Sequence, residues 1–250
     1  MKQIVCSATI VLLCLTNFVA QADEKALSAG FSFWSTNPDG RFGQAEDNVL
    51  ELDDSSGLQS NYYFSYEHNY LYLPNFRLAR TQTSNEATVA IDKTYALNNS
   101  LFRVASVLNA SSRHTQVDAL GYYEIFDNRT LELDLGLTIR QHAITAKAVN
   151  QNDSSEAATS KVSDTQILLY GAGRLNLPLL HAGAFVETNF LNTSNYDLET
   201  GLVYTVYNSK LVKTNLKVGV KKQSIEFDNL EGLYTQLDWE SVFVGMDFHF

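Results

Sequence analysis

Residues 131–140 read Leu-Glu-Leu-Asp-Leu-Gly-Leu-Thr-Ile-Arg. Leu131, Leu133, Leu135, Leu137 and Ile139 fall on one parity, and Glu132, Asp134, Gly136, Thr138 and Arg140 on the other. Only a strand keeps two such sets apart, because its side chains alternate faces with a period of two; a helix would spread both round its axis. The length also suits the roughly 9–11 residues that a tilted strand needs to cross a bilayer's hydrocarbon core. A half-buried strand of a soluble sandwich would carry the same pattern, so the rest of the chain has to separate the two readings.

The first residues bear on location. Met1-Lys2-Gln3 is positively charged, Ile4 to Ala20 is almost wholly apolar, and Ala20-Gln21-Ala22 precedes Asp23. This order predicts a secretory signal peptide at 1–22, leaving 23–250 as the folded domain. The apolar run is short for a transmembrane anchor, and Leu13 stands before Cys14 where lipoprotein processing needs a small residue. Both cysteines, Cys6 and Cys14, depart with the signal, so neither a disulfide framework nor a thiolate metal site is expected, and no cofactor is predicted. Loss of Lys2 takes the formal charge to 17 − 28 = −11, which argues against nucleic acid as a partner. Beyond residue 22 no apolar stretch approaches the roughly 18 residues of a transmembrane helix, so a membrane form of this chain must be a closed barrel.

The chain then supplies strands in series. Leu27, Ala29, Phe31 and Phe33 alternate with Ser28, Gly30 and Ser32; Asn61 to His68 is rich in aromatics; Asn75 to Thr83 sets Phe76 and Leu78 against Arg77 and Ala79. Thr115 to Ile125 leads through Asp127-Asn128 into the 131–140 strand. Further strands are predicted at 164–175, 182–190, 196–206 and 212–221, and a last one sets Val242, Val244, Met246, Phe248 and Phe250 against Phe243, Gly245, Asp247 and His249. Residues 35–58, with their acidic cluster, and 143–163, rich in Asn, Ser and Ala, read as polar loops. The pieces 88–91 and 101–108 read as strand prolongations standing above a membrane.

Short turns at 69–74, 127–128, 176–179 and 207–210 alternate with longer connections, the asymmetry of bacterial outer-membrane barrels. The prediction is therefore an all-β, transmembrane antiparallel β-barrel in the outer membrane of a Gram-negative bacterium. Ten strands fit best; eight result if two weak candidates merge, and twelve if the pieces within 84–112 also cross.

Several stretches carry a resemblance: Leu50-Glu51-Leu52-Asp53-Asp54, Glu67-His68, 73–78 (LPNFRL), 122–128 (YYEIFDN), 133–137 (LDLGL) and 245–250 (GMDFHF). In this order they resemble an uncharacterised family of proteobacterial outer-membrane β-barrel proteins. The resemblance spans most of the chain and is weakest at 84–112 and 143–163. It implies outer-membrane lipid as surroundings, and Met246, Phe248 and Phe250 as a C-terminal signal read by the barrel-assembly machinery.

On the charged parity, Asp118, Glu124, Glu132, Asp134, Arg140, Arg174, Glu187, Glu199, Lys213 and Lys217 are expected to face the lumen. A barrel of this size is too narrow for a wide aqueous channel, so these charges should pair across it. His114 and His142 share that parity at nearly equal height, and a rim histidine beside a carboxylate could act as a general base, as in the architecture of omptin proteases. No nucleophile motif or metal-ligand spacing accompanies them. The expected function is a non-enzymatic binding or envelope-structural barrel with long extracellular loops and an unknown ligand. The alternatives are a rim-active hydrolase and a narrow solute pore. On parity alone, Leu135→Arg should be costly and Thr138→Arg, facing the lumen, milder.

Overall fold

The computed structural model describes residues 27–36, 39–52, 57–70, 72–98 and 100–250; the predicted signal peptide lies outside them. The strands are β1 (Leu27–Thr36), β2 (Asp39–Ala45), β3 (Asn48–Glu51), β4 (Gly57–Tyr66), β5 (Asn75–Ala90), β6 (Tyr95–Leu97), β7 (Ser100–Phe102), β8 (Val107–Asp127), β9 (Leu131–Asn150), β10 (Ala157–Leu177), β11 (Ala182–Asn192), β12 (Asn195–Asn208), β13 (Lys213–Leu230) and β14 (Leu233–His249).

β1, β4, β5 and β8 to β14 form an antiparallel sheet in which each strand pairs with the next, and β1 closes it on β14. This is the ten-stranded barrel. β2 extends β1 in unbroken register along β14, with Thr36 opposite Ser241 and Asp39 opposite Asp238. β3 pairs back onto β2, Phe42 opposite Leu50, as β4 pairs onto β1, so the described strands β1 to β4 form two antiparallel pairs set end to end. Side chains set the lower turns: Asn128 Oδ1 accepts the Thr130 and Leu131 N–H groups at 2.7 and 2.8 Å, and Ser209 Oγ accepts the Val212 N–H at 3.1 Å. At the upper end the β13–β14 turn runs through left-handed backbone at Glu231 and Gly232, the second suited by a residue without a Cβ.

Three segments expected as loops or left ambiguous are largely strand. Residues 39–51 form β2 and β3; β5 and β8 run unbroken through 84–90 and 107–112; β9 and β10 continue to Asn150 and from Ala157. In the last case, alternation persists in muted form. Ile144, Ala146, Ala148, Ala158 and Val162 turn inward and are buried, while Lys147 and Lys161 turn to solvent. Alanine on the buried face made this amphipathic pair look like polar linker. The strands therefore outrun the length a membrane needs, and the excess stands as a wall above one end.

Outside, Leu133, Leu135, Leu137, Ile139, Ile167, Leu169, Leu202, Val218, Val220, Val242 and Val244 are exposed, a belt of apolar side chains round the barrel. Inside, the upper end is filled by an apolar core including Phe42, Leu50, Leu52, Leu108, Ile144, Phe227, Leu233 and Trp239. The β6–β7 hairpin packs into it: the Tyr95 and Phe102 rings lie 5.9 Å apart and are fully buried. Asn48 holds the hairpin by donating from Nδ2 to the Thr94 carbonyl and accepting the Ala96 N–H, each at 2.9 Å. Asn98 Nδ2 ties it to β10 through the Thr159 carbonyl at 2.8 Å.

Candidate functional site

Below the apolar core the lumen is polar. Arg140 on β9 is its hub. Its guanidinium takes Asp118 of β8 in a two-pronged contact, both bonds 2.9 Å, and reaches across the barrel to Asp197 of β12 at 2.6 Å. Around it, Gln223 Nε2 donates to Gln116 Oε1 at 2.8 Å, and Gln116 Nε2 to Asp118 Oδ2 at 2.9 Å. On the far side Thr138 Oγ1 donates to Asn189 Oδ1 at 2.5 Å, and Asn189 Nδ2 to Asp197 Oδ1 at 3.1 Å. Arg140 is nearly inaccessible, so these bonds stand in for the water it lost.

Two further sets bridge the lumen. Arg77 of β5 meets Glu187 of β11 at 2.6 Å and lies over the Tyr63 ring, 4.9 Å from its centre. Lys217 sits between Glu199 and Asp247 at 3.6 and 3.7 Å, with Lys221 also 3.6 Å from Glu199. Lys217 and Lys221 lie over the rings of Phe185 and Trp34 at 4.5 and 4.7 Å. The space left among these groups is about 70 Å³, a few waters' worth.

The lower end opens into a vestibule of about 320 Å³, lined by Glu67, Glu124, Asp127, Glu132, Asp134, Arg174 and Lys213 among others. Arg174 stands 3.8 Å from Glu132, and Asn176 Nδ2 donates to Glu132 Oε1 at 2.7 Å. Glu124 accepts from Asn75 Nδ2 at 3.4 Å, and Tyr122 donates to Glu67 at 2.8 Å.

Of the ten charges predicted to face inward, Asp118, Arg140, Glu187, Glu199 and Lys217 meet in the central network, while Glu124, Glu132, Asp134, Arg174 and Lys213 line the vestibule. Arg77, Asp197, Lys221 and Asp247 belong to the same network and were left out of that set, although parity alone selects them.

His114 and His142 do come together, His114 Nε2 lying 2.9 Å from His142 Nδ1. They are not at a rim. At 2% and 1% exposure they sit between Arg140 and the apolar core, with His114 stacked on Trp239 and His142 edge-on to Phe227. The strands continue eight residues beyond His142 to Asn150, which moves the rim far above it. Among the described residues His114 Nδ1 and His142 Nε2 have no hydrogen-bond partner, and neither histidine lines the space around Arg140 or the lower vestibule. Among the described residues no group of three or more His, Cys, Asp or Glu side chains is arranged to hold a metal. Met246 and Phe248 face outward on β14 opposite Phe31 and Ala29, and the Phe250 N–H donates to the Leu27 carbonyl at 2.9 Å across the closing seam.

No protein-family model and no curated protein matches the sequence. Among solved structures, the outer membrane protease OmpT from Escherichia coli is 8% identical with a TM-score of 0.48, covering 93% of this chain and 100% of its own. The translocator domain of autotransporter NalP from Neisseria meningitidis is 9% identical with a TM-score of 0.42, covering 98% and 96%. Ail, the attachment invasion locus protein of Yersinia pestis, is 8% identical with a TM-score of 0.36, covering 88% and 99%. At identities of 8–9% and TM-scores of 0.36–0.48, nothing beyond the barrel described above is carried from these structures to this chain.

Proposed function

We propose that this protein is an outer-membrane β-barrel that passes no solute and catalyses no reaction, serving the envelope as a scaffold whose tall outer wall meets a ligand or partner. One observation carries the reading: the interior is occluded in series, by the apolar core over the upper end and by the Arg140, Arg77 and Lys217 bridges through the middle. Solutes that cross barrels by diffusion use wider, water-filled ones, generally of 16–18 strands. The apolar belt supports a lipid setting, since a hydrophobic band that runs round a barrel is unstable against water and matches the hydrocarbon of a bilayer. The buried histidine pair offers no acid–base site, because a general base must lie within hydrogen-bond reach of its substrate.

The test has two parts. Fractionation should recover the protein with the outer membrane; recovery as a soluble periplasmic protein would refute the placement. Purified protein in planar bilayers and in sugar-loaded liposomes should give no sustained conductance and no swelling. A steady open channel would refute the occlusion, and turnover of peptide or lipid ester substrates that vanishes in His114→Ala or His142→Ala would restore the hydrolase.

A further inference from the structure

Above the apolar belt, the outer wall is not uniformly charged. On β5, β8, β9 and β10 the outward positions just beyond Leu78, Ala119, Ile139 and Ile167 form aligned rows. The first row contains Arg80 and Gln141; two rows higher, Arg113 and Lys161 flank Thr145, and Lys147 stands one row above them. Arg80, Arg113, Lys147 and Lys161 are all exposed, and none makes an ion pair among the described residues. Hydroxyl and amide side chains fill most of the space between them, with one exposed carboxylate, Glu86, two strands from Lys147 in its row. On the opposite wall the comparable positions carry Glu226, Asp228, Asp238 and Glu240, with Lys222 opposite Glu240 in register. In a chain of net charge −10, four cations against the single carboxylate of Glu86 on one face are a local reversal of sign.

Their height restricts what they can meet. Thr145, flanked by Arg113 and Lys161, lies six residues along β9 from Ile139, about 20 Å of strand and about 14 Å of height at a 45° tilt, with its two neighbours about 3 Å above and below it because rows run square to tilted strands. The headgroup layer of an ordinary phospholipid leaflet is only about 5–8 Å thick, short of this upper cluster. Arg113 and Lys147, and Lys147 and Lys161, are diagonal cross-strand neighbours roughly 7–8 Å apart at the backbone, a spacing at which two cations can grip one phosphate.

We propose that this wall docks a phosphorylated glycolipid of the surrounding leaflet, its membrane-proximal phosphate at Arg80 and further anionic groups of its saccharide at Arg113, Lys147 and Lys161. The proposal rests on the membrane reading above, and it adds the class of lipid that the outer wall selects.

The test uses protein refolded in detergent, so it does not depend on where the protein resides. Purified bacterial diphosphoryl lipopolysaccharide, its enzymatically dephosphorylated form and phosphatidylglycerol are titrated, with binding read by native mass spectrometry. Preference for the diphosphoryl glycolipid is expected, weakening with salt. Each basic side chain near an anionic surface contributes about fivefold, so Arg113→Gln/Lys147→Gln/Lys161→Gln should weaken binding about 100-fold. Lys222→Gln, on the opposite wall, should leave it unchanged. All four positions are exposed, and an unheated gel-mobility shift verifies that each variant is folded. Equal binding by the triple variant, by the dephosphorylated glycolipid or by phosphatidylglycerol would overturn the proposal, whereas loss of the membrane reading would show only in the fractionation.

Discussion

Leu135 and Asp134 are adjacent on β9 and point to opposite sides of the wall, so the same substitution at each should have different consequences. Leu135 is the middle of the five outward apolar residues from Leu131 to Ile139, is 57% exposed, and lies in register with Tyr123 and Gly171. An arginine there would stand near the midplane of the hydrocarbon, at a cost of about 2–4 kcal/mol. Asp134 opens into the lower vestibule beside Glu67, Glu124 and Glu132, and Glu124 is its partner in register. An arginine there removes one carboxylate from an acidic group and meets the others in a water-reached space. Asp134→Arg should stay within about 1 kcal/mol of the parent. The measurement is urea-dependent folding into lipid vesicles, followed by tryptophan fluorescence and gel mobility under one set of conditions. Costs that agree within about 1 kcal/mol, or that reverse in order, would refute the assignment of faces or the lipid setting. Thr138→Arg, expected from parity to be mild, is a poor control: Thr138 is 1% exposed and donates to Asn189 beside Arg140, leaving no room for a larger side chain.

Arg140→Met should cost about 3–5 kcal/mol, because it strands Asp118 and Asp197 as buried carboxylates. Adding Asp118→Asn and Asp197→Asn should recover most of that loss in the same urea titration; a triple variant as unstable as the single one would show that the network does not act as a unit. Phe102→Ala should loosen the β6–β7 hairpin, seen as faster hydrogen exchange over residues 91–106 with protection of 131–140 unchanged. Uniform loss of protection in both segments would mean that the upper core is part of the barrel's global stability.

The sequence by itself pointed to a closed antiparallel barrel, with ten strands the best of three counts, and to the face taken by the charged residues of the strands it made legible. Period-two alternation is a local property of the backbone, and a stretch such as Leu131–Arg140 carries it without help from the rest of the fold. The same rule places Arg77, Asp197, Lys221 and Asp247 inward, and could have found them. Tertiary structure decided how high the walls rise and what fills them. Residues 143–163 bury alanines and two larger apolar residues against Phe42, Tyr95, Phe102 and Trp239, which come from distant parts of the chain. Burial there depends on partners that no local pattern names. The histidines illustrate the same limit: parity and height brought His114 and His142 together, and only the core stacked above them, with the strands continuing to Asn150, turned an apparent rim into a sealed interior. Which cations pair was equally undecidable from sequence, since Arg140 reaches Asp197 across a lumen whose width is set by the closure of β1 on β14.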